Sequence, residues 1–225
     1  QIYLGNKDTE SPVSSDSATD IYRSRDVPGS SDIYISTKTQ IAHLNQSIDL
    51  PKIFWALPII PYHKTEEGII KKQMKFNTSS REEYTAIQDS IPKDIYTEQH
   101  IITHIENPTG RIKFKDVRKI SIGLKKSDIV NNRCKKKGAF YNCFVAIIRV
   151  LHEGSFKEVH VKVFNTGKLE IPGIKDDIIL YKIIDKLIAI LSNYVSPKTK
   201  LSCIKDKSYT VLINSNFNCG YYINR

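Results

Sequence analysis

The chain has no C-x-x-C pair, no G-x-x-x-x-G-K phosphate loop, no G-x-S-x-G elbow and no H-E-x-x-H pair. Each absence removes a class of chemistry. Its four cysteines, Cys134, Cys143, Cys203 and Cys219, lack the paired spacing of a structural zinc site. They are expected to be reduced structural thiols in an intracellular compartment. His100 and His104 have the i, i+4 spacing that on a helix can hold a metal, but no glutamate of the zinc-protease type lies between them, so a surface pair is expected. Asp176-Asp177 reads as a helix N-cap and not as a catalytic carboxylate pair. No enzymatic activity, metal or cofactor is expected. Long apolar runs are also missing. Phe54-Trp55-Ala56-Leu57-Pro58-Ile59-Ile60 is far shorter than the roughly 20 residues of a membrane span, and no secretory signal is visible. With Gln in first position, the natural chain is expected to start upstream.

What the chain does have is positive charge. It carries 34 Lys and Arg against 24 Asp and Glu in 225 residues, a net charge of +10. Such an excess points to an acidic partner, nucleic acid or an anionic surface. The charge is unevenly placed. Residues 1–50 hold four basic side chains and seven acidic ones, with Ser-rich segments such as "TESPVSSDSATD". This stretch is expected to be a largely disordered, loosely attached or extended arm with one short strand at Ile33-Tyr34-Ile35. Residues 111–137 hold eleven Lys or Arg against Asp116 and Asp128, which is +9. This cluster, with Lys135, Lys136 and Lys137 at its end, is a candidate phosphate-contacting surface whose binding would depend strongly on salt.

Periodicity places the rest. "GIIKKQMKF", residues 68–76, reads as a strand, followed by a helix capped by Ser79 or Ser80 and closed by Pro92. Short strands are expected around Ile101-Ile102, Ile112 to Phe114 and Val117 to Leu124, with a turn at Asn107-Pro108-Thr109-Gly110. The apolar run "CFVAIIRVL" from Cys143 reads as a central strand. After a turn at Glu153-Gly154-Ser155, Val159, Val161 and Val163 alternate with His160, Lys162 and Phe164. Asn165-Thr166-Gly167 turns the chain into a third strand, Lys168 to Ile171. The clearest helix runs from Asp176-Asp177 along Ile178, Ile179, Ile183, Ile184, Leu187, Ile188 and Leu191. Ser196-Pro197 ends it, and a last strand lies in "SYTVLINSNFNCGYYINR". The expected fold is α+β: an antiparallel curved sheet with helices on one face and the other face bare. A bare face carrying Lys, Thr, Asn and Phe is expected to bind a partner.

The segments "CFVAIIRV" and "HVKVFNTGKLEIPGIKDD", followed by a long apolar helix, resemble one repeat of the TATA-box-binding protein fold. With "RKISIGLKKSDI" and "VLINSNFN", they look most like the TATA-box-binding-like proteins of giant DNA viruses. The resemblance covers residues 68–192. It implies a domain of residues 51–192 with a basic insert at about 98–137, and residues 193–225 as a linker and the first strand of a second repeat. It implies a viral transcription initiation factor that binds AT-rich promoter duplex DNA through the concave sheet, wedging Phe side chains into the minor groove. Viral RNA polymerase or initiation factors would be its partners, and the host cytoplasm (a viral factory) or the virion its location. By position, Phe164 falls on a wedge phenylalanine, Thr166 and Lys168 on groove- and phosphate-facing positions, and Arg149 on the family's strand arginine. Gln73, Asn214 and Asn216 lie near positions that read the groove floor. The second wedge position falls on Cys143, with Phe144 and Phe140 as neighbours that a bulge would bring into place. Glu170 and Pro172 also depart from the family pattern, and a carboxylate at Glu170 would repel phosphates. The expectation for a half-repeat is that the natural chain continues past Arg225 or that two copies form a homodimer. Two other readings remain: a protein-interaction module docking its basic insert on an acidic surface of the transcription machinery, and a non-specific architectural DNA binder.

Overall fold

The structure is a computed structural model and describes residues 29–130, 140–195 and 200–221. The chain divides into two compact units: Ile35–Ser215, and the two chain ends, Gln1–Tyr34 with Asn216–Arg225. In the smaller unit, the Ser31 amide donates to the Asn218 carbonyl at 2.8 Å and the Asn218 amide to Ser31 Oγ at 2.8 Å.

Among the described residues the architecture is α+β, with four α-helices and one eight-stranded antiparallel sheet. The strands are β1 (Tyr34–His43), β2 (Gly68–Thr78), β3 (Thr97–Glu106), β4 (Phe114–Gly123), β5 (Cys143–His152), β6 (Ser155–Phe164), β7 (Lys168–Ile174) and β8 (Tyr209–Asn216). The helices are α1 (Leu50–Ala56), α2 (Arg81–Asp89), α3 (Lys126–Val130) and α4 (Asp177–Leu191). The sheet order is β3-β4-β2-β5-β6-β7-β1-β8.

Local chemistry explains the boundaries. The Asp49 carboxylate caps α1 by accepting from the Lys52 amide, and Pro51 sits in the first turn, where its missing N–H costs nothing. The helix stops at Leu57, held extended by Pro58. Ser80 caps α2 by accepting from the Glu83 amide, and Glu83 reaches back to the Ser79 amide at 3.0 Å. Asp176 caps α4. At the β5–β6 hairpin Glu153 and Gly154 both have positive φ, 49° and 72°, the pairing that matches strand twist in a two-residue turn. At the β6–β7 turn Gly167 has φ 83°, and a Cβ there would strike the Gln46 carbonyl, so only glycine fits.

Strand register assigns each side chain to a face. Val159, Val161 and Val163 of β6 lie opposite Ile148, Ala146 and Phe144 of β5, and all belong to the core beneath α1 and α4. From α4 that core receives Leu180, Ile183, Ile184, Leu187 and Leu191, each contributing about 1.5–3 kcal/mol by burial. The core is completed by Phe54 of α1, edge-on to Phe76 at 5.4 Å and to Phe144 at 6.4 Å.

Several expectations change. Residues 34–50 are not part of a loose arm: β1 pairs with β7, and Ile41, Ala42, Leu44 and Ile48 are buried. The short strand expected at Ile33-Tyr34-Ile35 is the start of a ten-residue strand whose polar side chains hid its pattern. Residues 97–123 form the β3–β4 hairpin and extend the sheet, so about half of the expected basic insert is strand. His100 and His104 lie on strand β3, so their spacing is not helical. Residues 1–28 of the arm, and the helix stop at Ser196-Pro197, lie outside the described residues.

Candidate nucleic-acid interface

The face opposite the main helices carries Lys71, Gln73 and Lys75 of β2, Ser121 of β4, Cys143, Ile147 and Arg149 of β5, and Glu158, His160, Lys162 and Phe164 of β6. It is not bare. Its two ends differ.

At the Arg149 end the face is sealed. Arg149 is only 5% exposed. Its guanidinium donates to the carbonyls of Tyr62 (2.9 Å), Glu66 (3.0 Å) and Lys64, and its charge lies 5.0 Å from the Phe156 ring and 5.6 Å from that of Tyr62. Arg149 therefore does not join an open binding surface; a long loop closes over it and accepts from three of its five N–H groups. Beside it, Lys71 Nζ pairs with Asp128 at 2.7 Å, the Lys126 amide donates to the Glu158 carboxylate, and Lys125 Nζ lies 3.5 Å from His160 Nε2. These contacts carry the segment 125–128 from β4 across β2 and β5 to β6. Lys125, read as part of a phosphate surface, is here a side-chain anchor for a crossing segment, whereas Lys126 anchors it through its backbone amide and is itself exposed. Arg118, from the same cluster, is buried on the helix side, with Nε 2.5 Å from Asp116 and its charge 4.5 Å from the Tyr84 ring. The Asp116 carboxyl is held below its usual range despite its own desolvation, because Arg118 and His104 both donate to it.

At the Cys143 end three lysines each lie over an aromatic ring. Lys75 Nζ is 3.4 Å from the Tyr141 centroid, Lys162 Nζ 4.6 Å from Phe140, and Lys168 Nζ 5.5 Å from Phe164. Phe140 is 63% exposed and Tyr141 59%. The β3–β4 turn, with exposed Arg111, Lys113 and Lys115, lies at this same end, because Phe114 opens β4 where β2 finishes. Thr166 is exposed in the β6–β7 turn. Gln73 faces this surface and donates to Ser121 Oγ at 3.1 Å. Glu170 neutralises Lys162 at 2.5 Å. Cys143 is buried opposite Phe164, and desolvation raises its thiol pKa.

The structure thus brings together Phe164, Thr166, Lys168 and Gln73 and leaves out other expected residues. Phe144 is fully buried against Phe54 on the helix side, so it cannot be a wedge. Its parity on β5 is opposite to that of Cys143, and no bulge separates the two. Phe140, just before β5, is the exposed candidate. Asn214 is on β8 and donates to Thr37 Oγ1 at 2.9 Å, and Asn216 ends that strand; β8 is three places from β6 in the sheet, so neither joins the Phe164 surface. Lys135, Lys136 and Lys137 lie outside the described residues.

Sequence reasoning missed Tyr141 and Lys75. Tyr141 falls between the expected basic cluster and strand, and Lys75 was one lysine among many. It also missed Lys72, buried on the helix side, which donates to the carbonyls of Phe54 and Leu57 at 2.6 Å each and closes the end of α1. Desolvation lowers its pKa from 10.5 to about 8. With its protons on backbone carbonyls it serves α1 and is not poised as a nucleophile.

No family model, curated protein or solved structure matches this chain. Among the described residues, no helix is long and apolar enough to cross a membrane.

Proposed function

We propose that the chain binds nucleic acid through the Cys143 end of its open sheet face. The observation that carries this is the row of three lysine–aromatic pairs, Lys75–Tyr141, Lys162–Phe140 and Lys168–Phe164, on a chain of net charge +10. Aromatic rings beside cations supply what a nucleic acid asks of a protein surface: a flat apolar partner for a base and a charge for the adjoining phosphate. The specific form of the proposal is a viral initiation factor of the TATA-box-binding type on AT-rich duplex DNA, with Phe164 and Phe140 as the pair that pries open a base step. Support for that form is that Phe164 ends β6 while Phe140, just before the neighbouring β5, lies against Lys162 of the same face. A second reading, an architectural binder without promoter preference, is favoured by the crossing segment and by Arg149. They leave only part of the face open and remove an arginine from it.

Fluorescence anisotropy on an AT-rich duplex and on its scrambled counterpart tests both. Phe140→Ala and Phe164→Ala are each expected to weaken binding about tenfold, as loss of one stacked base does. Binding should fall with salt at a log–log slope of about −4, as five or so phosphate contacts give. Equal affinity for the two duplexes selects the architectural reading. No binding at low salt, or binding indifferent to both substitutions, rejects the interface.

A further inference from the structure

The sheet ends in two very different edges. On β3 the edge strand carries Glu98, His100, His104 and Glu106, and its register with β4 slips between Ile101 and Thr103. Charge and a bulge of this kind are what keep an edge from pairing with another strand. On β8, Tyr209–Asn216, no side chain is charged and every residue is exposed. Tyr209, Val211, Leu212 and Ile213 are all large, and Ile213 is 54% exposed. One side of β8 is hydrogen-bonded to β1, and its other side has no strand partner among the described residues. The strand is seated firmly on β1: Ser36 Oγ donates to the Asn214 carbonyl at 3.0 Å, and Asn214 donates to Thr37 at 2.9 Å.

We propose that β8 is a dimerisation edge and that its occupant is β8 of a second copy, paired antiparallel about a two-fold axis. Three points fit β8 to a second copy. Antiparallel pairing about a two-fold axis lets a strand satisfy its free N–H and C=O groups with its own residues, so no second sequence is needed. A chain of net charge +10 repels its copy almost everywhere, and an uncharged segment is where approach costs least. Val211 and Ile213 share one face of β8, so a mate would place the same β-branched side chains beside them, a favourable cross-strand pairing. The proposal does not depend on nucleic-acid binding.

Sedimentation velocity of the full chain over about a hundredfold range of concentration tests it, since dimerisation obeys mass action. The chain is expected to shift from monomer to dimer. Val211→Lys together with Ile213→Lys, at exposed positions that leave the core untouched, is expected to weaken the dimer at least about tenfold by setting like charges across the pair. Ile101→Lys on the β3 edge should leave the dimer as it is. Hydrogen exchange gives a readout independent of any variant: the amides of residues 211–214 should exchange more slowly as concentration rises. A chain that stays monomeric throughout, a dimer unmoved by the double substitution, or exchange at these amides independent of concentration overturns the proposal.

Discussion

Arg149 and Lys75 sit on the same face of one sheet, and each has an aromatic ring within reach, yet they occupy opposite kinds of site. Arg149 has three backbone carbonyls around its guanidinium and is buried. Lys75 is half-buried and lies over one exposed tyrosine ring. A planar guanidinium with five donors suits the closing of a loop whose carbonyls would otherwise be unpaired, and a single ammonium suits an open surface. A cation on a sheet face is thus not evidence of a ligand until its acceptors are known. At one end of this face backbone carbonyls supply them; at the other, Lys162 has the Glu170 carboxylate, and Lys75 and Lys168 lie over aromatic rings.

The sharpest way to break this contrast is Arg149→Ala. Three carbonyls of residues 62–66 would lose their donor, and the loop would lose the charge that Phe156 and Tyr62 flank. A loss of about 3 kcal/mol in stability is expected, measured by urea unfolding, with the nucleic-acid affinity of the folded fraction unchanged. Lys75→Ala should do the reverse, lowering affinity and leaving the unfolding midpoint in place. If Arg149→Ala weakens binding without destabilising, the two ends have been assigned the wrong way round.

A second test of the sealed end uses pH. Glu67 accepts from the Leu151 amide and from Lys182 and Lys186, and these donors hold its pKa near 2 against an ordinary 4.5. A carboxylate depressed in the folded state stabilises fully above its unfolded pKa, and that contribution fades as pH falls through the folded one. Glu67→Gln is therefore expected to cost about 2 kcal/mol at neutral pH. The gap from the parent chain should close as pH drops from about 4.5 towards 2. A gap that persists at the lowest pH would mean that the glutamine disturbs packing and that charge is not the cause.

Much of the helix side was legible because its signals are local. The valines of β6 alternate strictly, and the apolar stripe of α4 repeats at the helical period, so each could be read within ten or so residues. The open face was only half legible. Parity correctly put Lys162 and Phe164 together, but parity says nothing of what lies above them. Arg149 was misjudged because its acceptors come from residues 62–66, more than eighty positions away, on a loop with no periodicity. Phe144 was misjudged for the opposite reason: a wedge position was sought near Cys143, and the alternation of β5 already assigned Phe144 to the core. β1 was hidden by composition, since Ser, Thr, Lys and Gln fill a strand whose burial is set by β7 beside it.

The smallest expected effect is the most telling about the open end. Glu170 pairs with Lys162 at 2.5 Å, and Lys162 also lies over the Phe140 ring. Both side chains are partly exposed, so the pair contributes at most about 1 kcal/mol to the fold. Glu170→Gln should leave stability almost unchanged. What it changes is charge: Lys162 is released from its carboxylate, and the surface loses an acidic group that would face an incoming phosphate. Nucleic-acid affinity should rise about threefold at low salt, and the salt slope should steepen by about 1, the increment of one added phosphate contact. A rise in affinity without a steeper slope would mean that only repulsion had been removed. No rise at all would place the nucleic acid elsewhere on the chain. Glu170 is thus a restraint on the open end, and it works there because the acceptor for Lys162 is a side chain that one substitution can neutralise. At the sealed end, where the acceptors of Arg149 are backbone carbonyls, no side-chain substitution can do the same.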